Sequence, residues 1–261
     1  MLNVGVLASG RGSNFQAIMD HQKLDVFQDV NVRVLIYNNP DALVGDTARR
    51  YQVANHLVDH RGTDRVEFER QIMDILDSYA VELVCLAGWD RIVGSEFFRK
   101  YRWKTMNIHP ALLPSFGWKG LNARYVHEAA LEHGVKVTGC TVYFVDVSVE
   151  KGPIIIQQPV RILESERQLF RERREDAIQS LSDRVLIQEH RVYSKAIQLH
   201  ADGRLRVDES VSHSEGETRT SRVVAVDLSD DWERRWSERQ RIFIEQQKAS
   251  WAGKGRHIAE E

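Results

Sequence analysis

The sequence predicts an α/β fold built on a doubly wound, mostly parallel sheet, and three observations lead to it. Short apolar runs alternate with segments of helical periodicity between residues 2 and 108, the pattern of right-handed β–α–β crossovers. The first run, at residues 2–8, is almost continuously apolar, as in strands buried on both faces. Two later strands separated by a short polar connection near residue 150 predict an antiparallel hairpin at one side of the sheet.

The elements follow in order. Strands are predicted at 2–8, 32–37, 56–58, 82–87 and 104–108, and helices at 14–22, 44–51 and 64–79. An irregular loop with Pro110 and Pro114 comes next. A helix at 123–133, strands at 136–145 and 153–162, helices near 167–176 and 182–199, and a last strand at 204–207 complete the pattern.

The C-terminal part differs in composition. We therefore predict one domain over residues 1–208 and an extension over residues 209–261. A segment rich in Ser, Glu and Thr, residues 210–220, is typical of a polar linker. Residues 230–251 then place Trp232, Trp236, Phe243 and Trp251 near one helical stripe. The stripe favours a helix that packs on its own domain, with an oligomer contact as the alternative.

Composition indicates small-molecule partners. The 36 basic and 38 acidic residues give a net charge of -2, so no global field favours nucleic acid or an anionic membrane. No run approaches the roughly 20 apolar residues that span a bilayer, and the N-terminus lacks a signal-peptide pattern. Cys85 and Cys140 lie in apolar runs and predict buried free thiols. We expect a cytoplasmic protein, either a monomer or a homodimer.

A glycine-rich turn follows the first predicted strand. Residues 8–14, Ala-Ser-Gly-Arg-Gly-Ser-Asn, lead into a helix N-terminus, where backbone N–H groups and the helix dipole attract anions. Gly12, Ser13 and Asn14 could cradle one phosphate, although such a turn can also be backbone geometry alone. A dinucleotide site would need a third glycine and an acidic residue after the second strand. Asn14 and the Asn38-Asn39 pair occupy those positions.

A polar pair ends the predicted strand 104–108. Asn107 and His109 share a face because side chains alternate along a strand, and the carboxyl ends of such strands line the ligand crevice. An amide and an imidazolium both donate to the oxygen that becomes negative when a carbonyl carbon is attacked. Asp146 and Glu150 are candidates for a carboxylate that keeps the imidazole charged. The pattern predicts acyl transfer by direct attack of the substrate.

Five motifs resemble the phosphoribosylglycinamide formyltransferases of purine biosynthesis. They are Ala-Ser-Gly-Arg-Gly-Ser-Asn at 8–14, Leu-Ala-Gly-Trp-Asp-Arg-Ile at 86–92, Asn-Ile-His-Pro-Ala-Leu-Leu-Pro-Ser-Phe at 107–116, Val-Thr-Gly-Cys-Thr-Val at 137–142 and Gln-Glu-His at 188–190. They follow the family's order over about residues 2–208. The Asn-x-His-Pro element resembles a motif of the whole formyltransferase superfamily. The Ser-Gly-x-Gly-Ser-Asn turn resembles the phosphoribosylglycinamide formyltransferases in particular.

The resemblance implies a Rossmann-like fold in which 10-formyltetrahydrofolate, the co-substrate, donates its formyl group to the amine of glycinamide ribonucleotide without a metal. The residues that match the family's functional positions fall into three groups. The catalytic ones are Asn107, His109 and Glu150; the ribonucleotide site has Gly12, Ser13 and Asn14 on the phosphate and also Glu189; the folate site has Arg65, Asp90, Arg91, Ile92, Val93 and Asn107.

Departures from the family pattern leave alternatives open. Glu150 stands where the family has an aspartate, and Asp90 replaces a residue that is usually apolar. A formyltetrahydrofolate hydrolase shares the Asn, His and carboxylate site, but usually carries a small domain before the first strand. A folate-binding relative with impaired turnover is the non-enzyme alternative, and Glu150 is the feature that supports it. A methionyl-tRNA formyltransferase would need a larger, basic C-terminal domain.

Overall fold

The computed structural model describes residues 1–117, 123–146, 151–214 and 217–252. Its strands are β1 Leu2–Ala8, β2 Val30–Tyr37, β3 Ala54–Leu57, β4 Leu83–Leu86, β5 Thr105–His109, β6 Val137–Phe144, β7 Ile154–Arg161, β8 Leu205–Ser214 and β9 Glu217–Val226. Its helices are α1 Ser13–Lys23, α2 Val44–Arg50, α3 Arg65–Ser78, α4 Ser95–Lys100, α5 Ala123–Glu132, α6 Glu164–Glu172, α7 Arg174–Ala201 and α8 Asp230–Ala252.

The predicted α/β fold is confirmed. Seven strands form one sheet in the order β3-β2-β1-β4-β5-β6-β7. The pairs among the first five are parallel, whereas β5–β6 and β6–β7 are antiparallel. Strand order reverses between β2-β1 and β4-β5, as in doubly wound sheets, so the parallel strands carry their carboxyl ends to one common edge.

Each face of the sheet has its own apolar core. On one face, Met106 and Ile108 pack with residues of α1, α5, α7 and α8. On the other face, residues of α3 and α4 cover β1, β2 and β4. The thiols of Cys85 and Cys140 are buried and free, as the apolar runs around them predict. Because Met106 and Ile108 face the first core, the alternating side chains of Asn107 and His109 lie on the opposite face.

Several elements differ from the sequence-based expectation. The short helix α4 was not predicted, because it has six residues and buries only Phe97, which is too little to show a period. Helix α7 is continuous over 28 residues and begins within the charge run 167–176. Most residues of that run face solvent, as charged residues on a helix surface do. Within the described residues, no helix combines the length and apolarity needed to cross a membrane.

Of the residues 210–220, predicted as a polar linker, 210–214 and 217–220 belong to the paired strands β8 and β9 instead. These strands pair with each other in a separate two-stranded sheet. Composition alone suggests a linker there, because polar residues outnumber apolar ones in this segment of the sequence. The boundary predicted after residue 208 falls inside β8, and the division into two domains stays a prediction.

The aromatic stripe of α8 packs on the chain's own core. Trp232, Trp236 and Phe243 are only 3%, 1% and 1% exposed. The ring of His21 in α1 lies between them, with its centroid 3.7 Å from that of Phe243 and 6.3 Å from that of Trp236. Further along α8, the amide of Gln247 lies 2.9 Å from Nδ1 of His190. The interpretation that the helix packs on its own domain is confirmed for these side chains.

This packing predicts a pH-dependent stability. Burial lowers the pKa of His21 to about 4 and that of His190 to about 3, whereas an unfolded histidine titrates near 6.5. Both rings are neutral in either state above pH ~6.5. Below that pH the unfolded chain binds protons that the folded chain does not bind. The free energy of unfolding therefore falls as the pH drops toward the folded pKa values, by about 1.4 kcal/mol per pH unit for each ring.

Urea unfolding between pH 7 and pH 4.5 measures this slope. The variant His21→Phe should show a shallower slope, because it removes one of the buried histidines whose pKa is lowered on folding. A slope unaffected by His21→Phe would contradict the linkage.

Candidate active site at the carboxyl edge of the sheet

Three loops converge at the carboxyl edge. They follow β1, β4 and β5, which are neighbouring parallel strands, and each carries residues that the sequence singled out. The first and second are joined directly: the backbone N–H of Ser9 donates to the carbonyl oxygen of Gly88 at 3.0 Å. The crevice therefore brings the glycine turn, the stretch predicted to bind folate and the Asn/His pair to one place.

The loop after β1 has the geometry of an anion site. Gly12 caps α1 with φ 78° and ψ 29°, a left-handed conformation that glycine adopts without strain. A Cβ atom there would also lie 2.4 Å from Cγ2 of Val44, so no other residue fits. The first amides of α1, from Ser13 onward, have no partners within the helix and point toward the crevice with the positive end of the helix dipole.

Asn14 connects this loop to α7. Its Nδ2 donates to Oε2 of Glu189 at 2.8 Å, although the two residues are 175 positions apart. Asn14 is 9% exposed and Glu189 6%. Burial raises the pKa of Glu189, and the hydrogen bond from Asn14 partly offsets that effect. The structure thus brings the predicted phosphate loop and the predicted substrate glutamate into contact.

A cavity of about 340 Å³ lies beside the loop after β4. It is lined by His60, Thr63, Arg65, Phe68, Glu69, Asp90, Arg91 and Ile92, so four of the five residues predicted for the folate stretch and its arginine meet there. Arg65 pairs with Glu69 at 3.0 Å and donates to the carbonyl oxygen of Ile92 at 3.3 Å. The fifth, Val93, packs instead against the apolar core beneath.

Asn107 and His109 end β5 as the alternation predicts, and each is oriented by a neighbour. The Nδ2 of Asn107 donates to the hydroxyl of Tyr143 at 2.9 Å, across the strand pair. The Nε2 of His109 lies 3.2 Å from the carbonyl oxygen of Phe116. Because a carbonyl oxygen only accepts, this contact places a proton on Nε2.

A second histidine lies near the first. His127 of α5 is 1% exposed, and its pKa is lowered to about 4, mainly by burial and further by the charge of His109. Burial lowers the pKa of His109 as well, and the Phe116 carbonyl opposes that shift. Burial therefore favours the neutral form of both rings.

The two carboxylate candidates differ. Glu150 lies outside the described residues. Asp146 follows β6 and is 6% exposed, and its carboxylate forms an ion pair with Arg222 of β9. The backbone N–H of Val145 bonds to Thr105, at the amino end of β5, whereas His109 ends that strand. Four residues of strand separate the two ends by roughly 13 Å, so Asp146 does not reach the His109 ring.

Sequence reasoning missed two contributors to this site, Tyr143 and His127, and also missed Arg222, the ion-pair partner of Asp146 outside it. Tyr143, His127 and Arg222 each contact or face a predicted residue from a distant element. A tyrosine in an apolar strand, a lone histidine in a helix and an arginine in a polar hairpin carry no local signal of such contacts. Among the residues that the structure describes, no group of three or more His, Cys, Asp or Glu side chains could hold a metal ion.

The fold and the site together define a formyltransferase. The model of the formyl transferase family matches residues 2–197, which is most of the chain, and the chain belongs to that family.

The names of individual similar proteins are more specific than the family description. Phosphoribosylglycinamide formyltransferase of Escherichia coli (strain K12) is 34% identical over 227 residues, which cover 87% of this chain and 100% of that protein. The trifunctional purine biosynthetic protein adenosine-3 of Homo sapiens is 39% identical over 208 residues, 79% of this chain; the chain spans 19% of that protein's length. Glycinamide ribonucleotide transformylase 1 from Symbiobacterium toebii superposes with a TM-score of 0.72 at 36% identity, covering 87% of this chain and 94% of that one.

Proposed function

We propose that this protein transfers the formyl group of 10-formyltetrahydrofolate to the amine of glycinamide ribonucleotide, giving formylglycinamide ribonucleotide and tetrahydrofolate. One observation carries the proposal: Asn107 and His109 end β5 at the same edge of the sheet as the glycine turn before α1 and a cavity of about 340 Å³. A phosphorylated acceptor and a bulky organic donor can thus approach one pair of hydrogen-bond donors. The Escherichia coli relative that the chain matches over its whole length is named phosphoribosylglycinamide formyltransferase.

The chemistry uses direct attack. The amine nitrogen of the acceptor bonds to the formyl carbon, and the formyl oxygen takes the negative charge. Asn107 carries a second N–H besides the one given to Tyr143, and a charged His109 adds the N–H at Nδ1 besides the one at Nε2 that faces Phe116, so two donors stabilise that oxygen. The bond from carbon to N10 of the folate then breaks, and the proton lost by the amine passes to N10.

A charged His109 stabilises the oxyanion better than a neutral one, yet burial lowers its pKa. A neighbouring carboxylate offsets that penalty by favouring the imidazolium. We assign this role to Glu150, which occupies the position of the family's aspartate. The ion pair between Asp146 and Arg222 supports the assignment by leaving Asp146 with a structural task.

Substituting the two carboxylates separates these tasks. Glu150→Gln should lower kcat by roughly a hundredfold, as the loss of charge stabilisation in a transition state does elsewhere, with little effect on stability. Asp146→Asn is the matched control: it should keep kcat within about threefold while lowering the free energy of unfolding by about 1–3 kcal/mol, because it weakens a buried charge-assisted bond. Steady-state kinetics and urea unfolding measure both. A large fall in kcat for Asp146→Asn together with a near-normal kcat for Glu150→Gln would contradict the role of Glu150.

An absorbance assay tests the function itself. Purified protein is mixed with 10-formyltetrahydrofolate, and tetrahydrofolate formation is followed with and without glycinamide ribonucleotide. Formation that depends on the amine supports the transferase. Formation without the amine would indicate the hydrolase, and binding of the folate without turnover would indicate a relative that has lost catalysis.

A further inference from the structure

The side chain of Asp90 joins three strand ends. Its Oδ1 accepts from the hydroxyl of Ser9 at 2.9 Å and from Nδ2 of Asn38 at 2.7 Å. Ser9 follows β1, Asn38 follows β2, and Asp90 itself lies in the loop after β4. One carboxylate therefore connects the segment before the glycine turn with the segment that lines the cavity.

The link to Ser9 is reciprocal. The backbone N–H of Asp90 donates back to Oγ of Ser9 at 2.9 Å, and the N–H of Ser9 bonds to Gly88. These contacts hold residues 88–90 against Ser9, which directly precedes the turn containing Gly12. An apolar side chain at position 90 would keep the backbone bonds and lose those of the carboxylate.

Asn38 shows what the carboxylate does for its surroundings. It is fully buried, and its side-chain Nδ2 donates to Asp90. Its backbone carbonyl oxygen lies 3.1 Å from Nδ1 of His60, a residue of the cavity wall. Removing the Asp90 carboxylate would leave a buried amide without that acceptor, a costly state.

Arg91 is the second group that Asp90 restrains. Its Nε lies 3.2 Å from Oδ1 of Asp90, which keeps the guanidinium at the cavity wall beside Arg65. Burial acts to raise the pKa of Asp90, but the hydrogen bonds from Asn38 and Ser9, together with the charge of Arg91, outweigh it and lower that pKa. The group is a carboxylate at neutral pH.

We infer that Asp90 is a positioning residue that couples the phosphate-binding turn to the donor-binding loop. The inference deepens the proposed function and depends on it for the identity of the two ligands. The carboxylate fixes Ser9 on one side and Arg91 on the other, so each loop is held in its binding geometry by the same group. Loss of the carboxylate loosens both loops together.

Kinetics of Asp90→Leu test the coupling. The variant should raise KM for both substrates by roughly tenfold, the worth of one or two hydrogen bonds, with kcat within about threefold. Asp90→Asn keeps a side-chain oxygen that can accept from Ser9 and Asn38, so it should restore both KM values to within about threefold of the wild type. A rise in only one KM, or a fall in kcat alone, would overturn the inference.

The variant Ser9→Ala tests whether a change beside one loop affects ligand binding at the other. Although Ser9 borders the phosphate turn, this variant should raise KM for the folate donor. Its effect should add less than fully to that of Asp90→Leu, since both variants remove the bond between Oγ of Ser9 and the carboxylate. Asp74→Leu changes an exposed carboxylate of α3 and is the matched control. Additive effects of Ser9→Ala and Asp90→Leu would refute the shared bond.

Hydrogen exchange separates this inference from the proposed function, because it needs no substrate. In the ligand-free protein, Asp90→Leu should speed amide exchange in residues 10–14 and 88–93 together, and Asp74→Leu should not. Faster exchange in both loops of a protein that shows no formyl transfer would keep the coupling and reject the function. Unchanged exchange in a protein that does transfer formyl would reject the coupling alone.

Discussion

Replacing His109 with alanine should lower kcat by roughly a hundredfold or more, because the variant loses one of the two proposed donors to the oxyanion. KM values should change little, since the ring stabilises the transition state more than either bound substrate. Steady-state kinetics with both substrates measure the effect. His109→Asn, which retains an N–H donor at a similar reach, should recover part of the loss.

Two controls keep this result specific. His133→Ala removes an exposed histidine and should leave kcat unchanged. Circular dichroism of His109→Ala shows whether the buried site has kept its fold. A folded His109→Ala variant with near-normal turnover would refute the assigned role.

The second large effect concerns α8. Trp236→Ala should lower the free energy of unfolding by about 3–5 kcal/mol, the usual cost of deleting a buried tryptophan ring. Trp236 is 1% exposed, stacks on Trp232 with a centroid distance of 5.9 Å and also lies against His21. The deletion therefore opens a cavity between α8 and α1. Urea unfolding followed by circular dichroism measures it.

Ile242 supplies the matched control on the same helix. It is 51% exposed, and Ile242→Ala should cost less than about 1 kcal/mol, as surface substitutions do. Equal costs for the two variants would contradict the packing of the aromatic stripe on the core.

Much of the site follows from local pattern. The alternation along Thr105–His109 places Asn107 and His109 on one face, and the parallel order of the strands brings their ends to one edge. The left-handed Gly12 likewise follows from a glycine turn between a strand and a helix. These features depend on residues close together in sequence, so a single chain is enough to predict them.

Other features depend on contacts that no local pattern encodes. Asn14 meets Glu189 across 175 positions, and Asp146 meets Arg222 across 76. The β8–β9 hairpin looked like a linker because residues 210–220 are mostly polar, and α4 is too short to show a period. Such contacts are set by how the layers stack, and only the structure gives them.

The central claim is that the formyl group passes to the amine of a phosphorylated acceptor. A single-turnover reaction with an isotopically labelled formyl group on 10-formyltetrahydrofolate, in the presence of glycinamide ribonucleotide, follows that group directly. Chromatography of the products should find the label in the ribonucleotide, with an equal amount of tetrahydrofolate. Label recovered as formate, with the ribonucleotide unlabelled, would contradict the account.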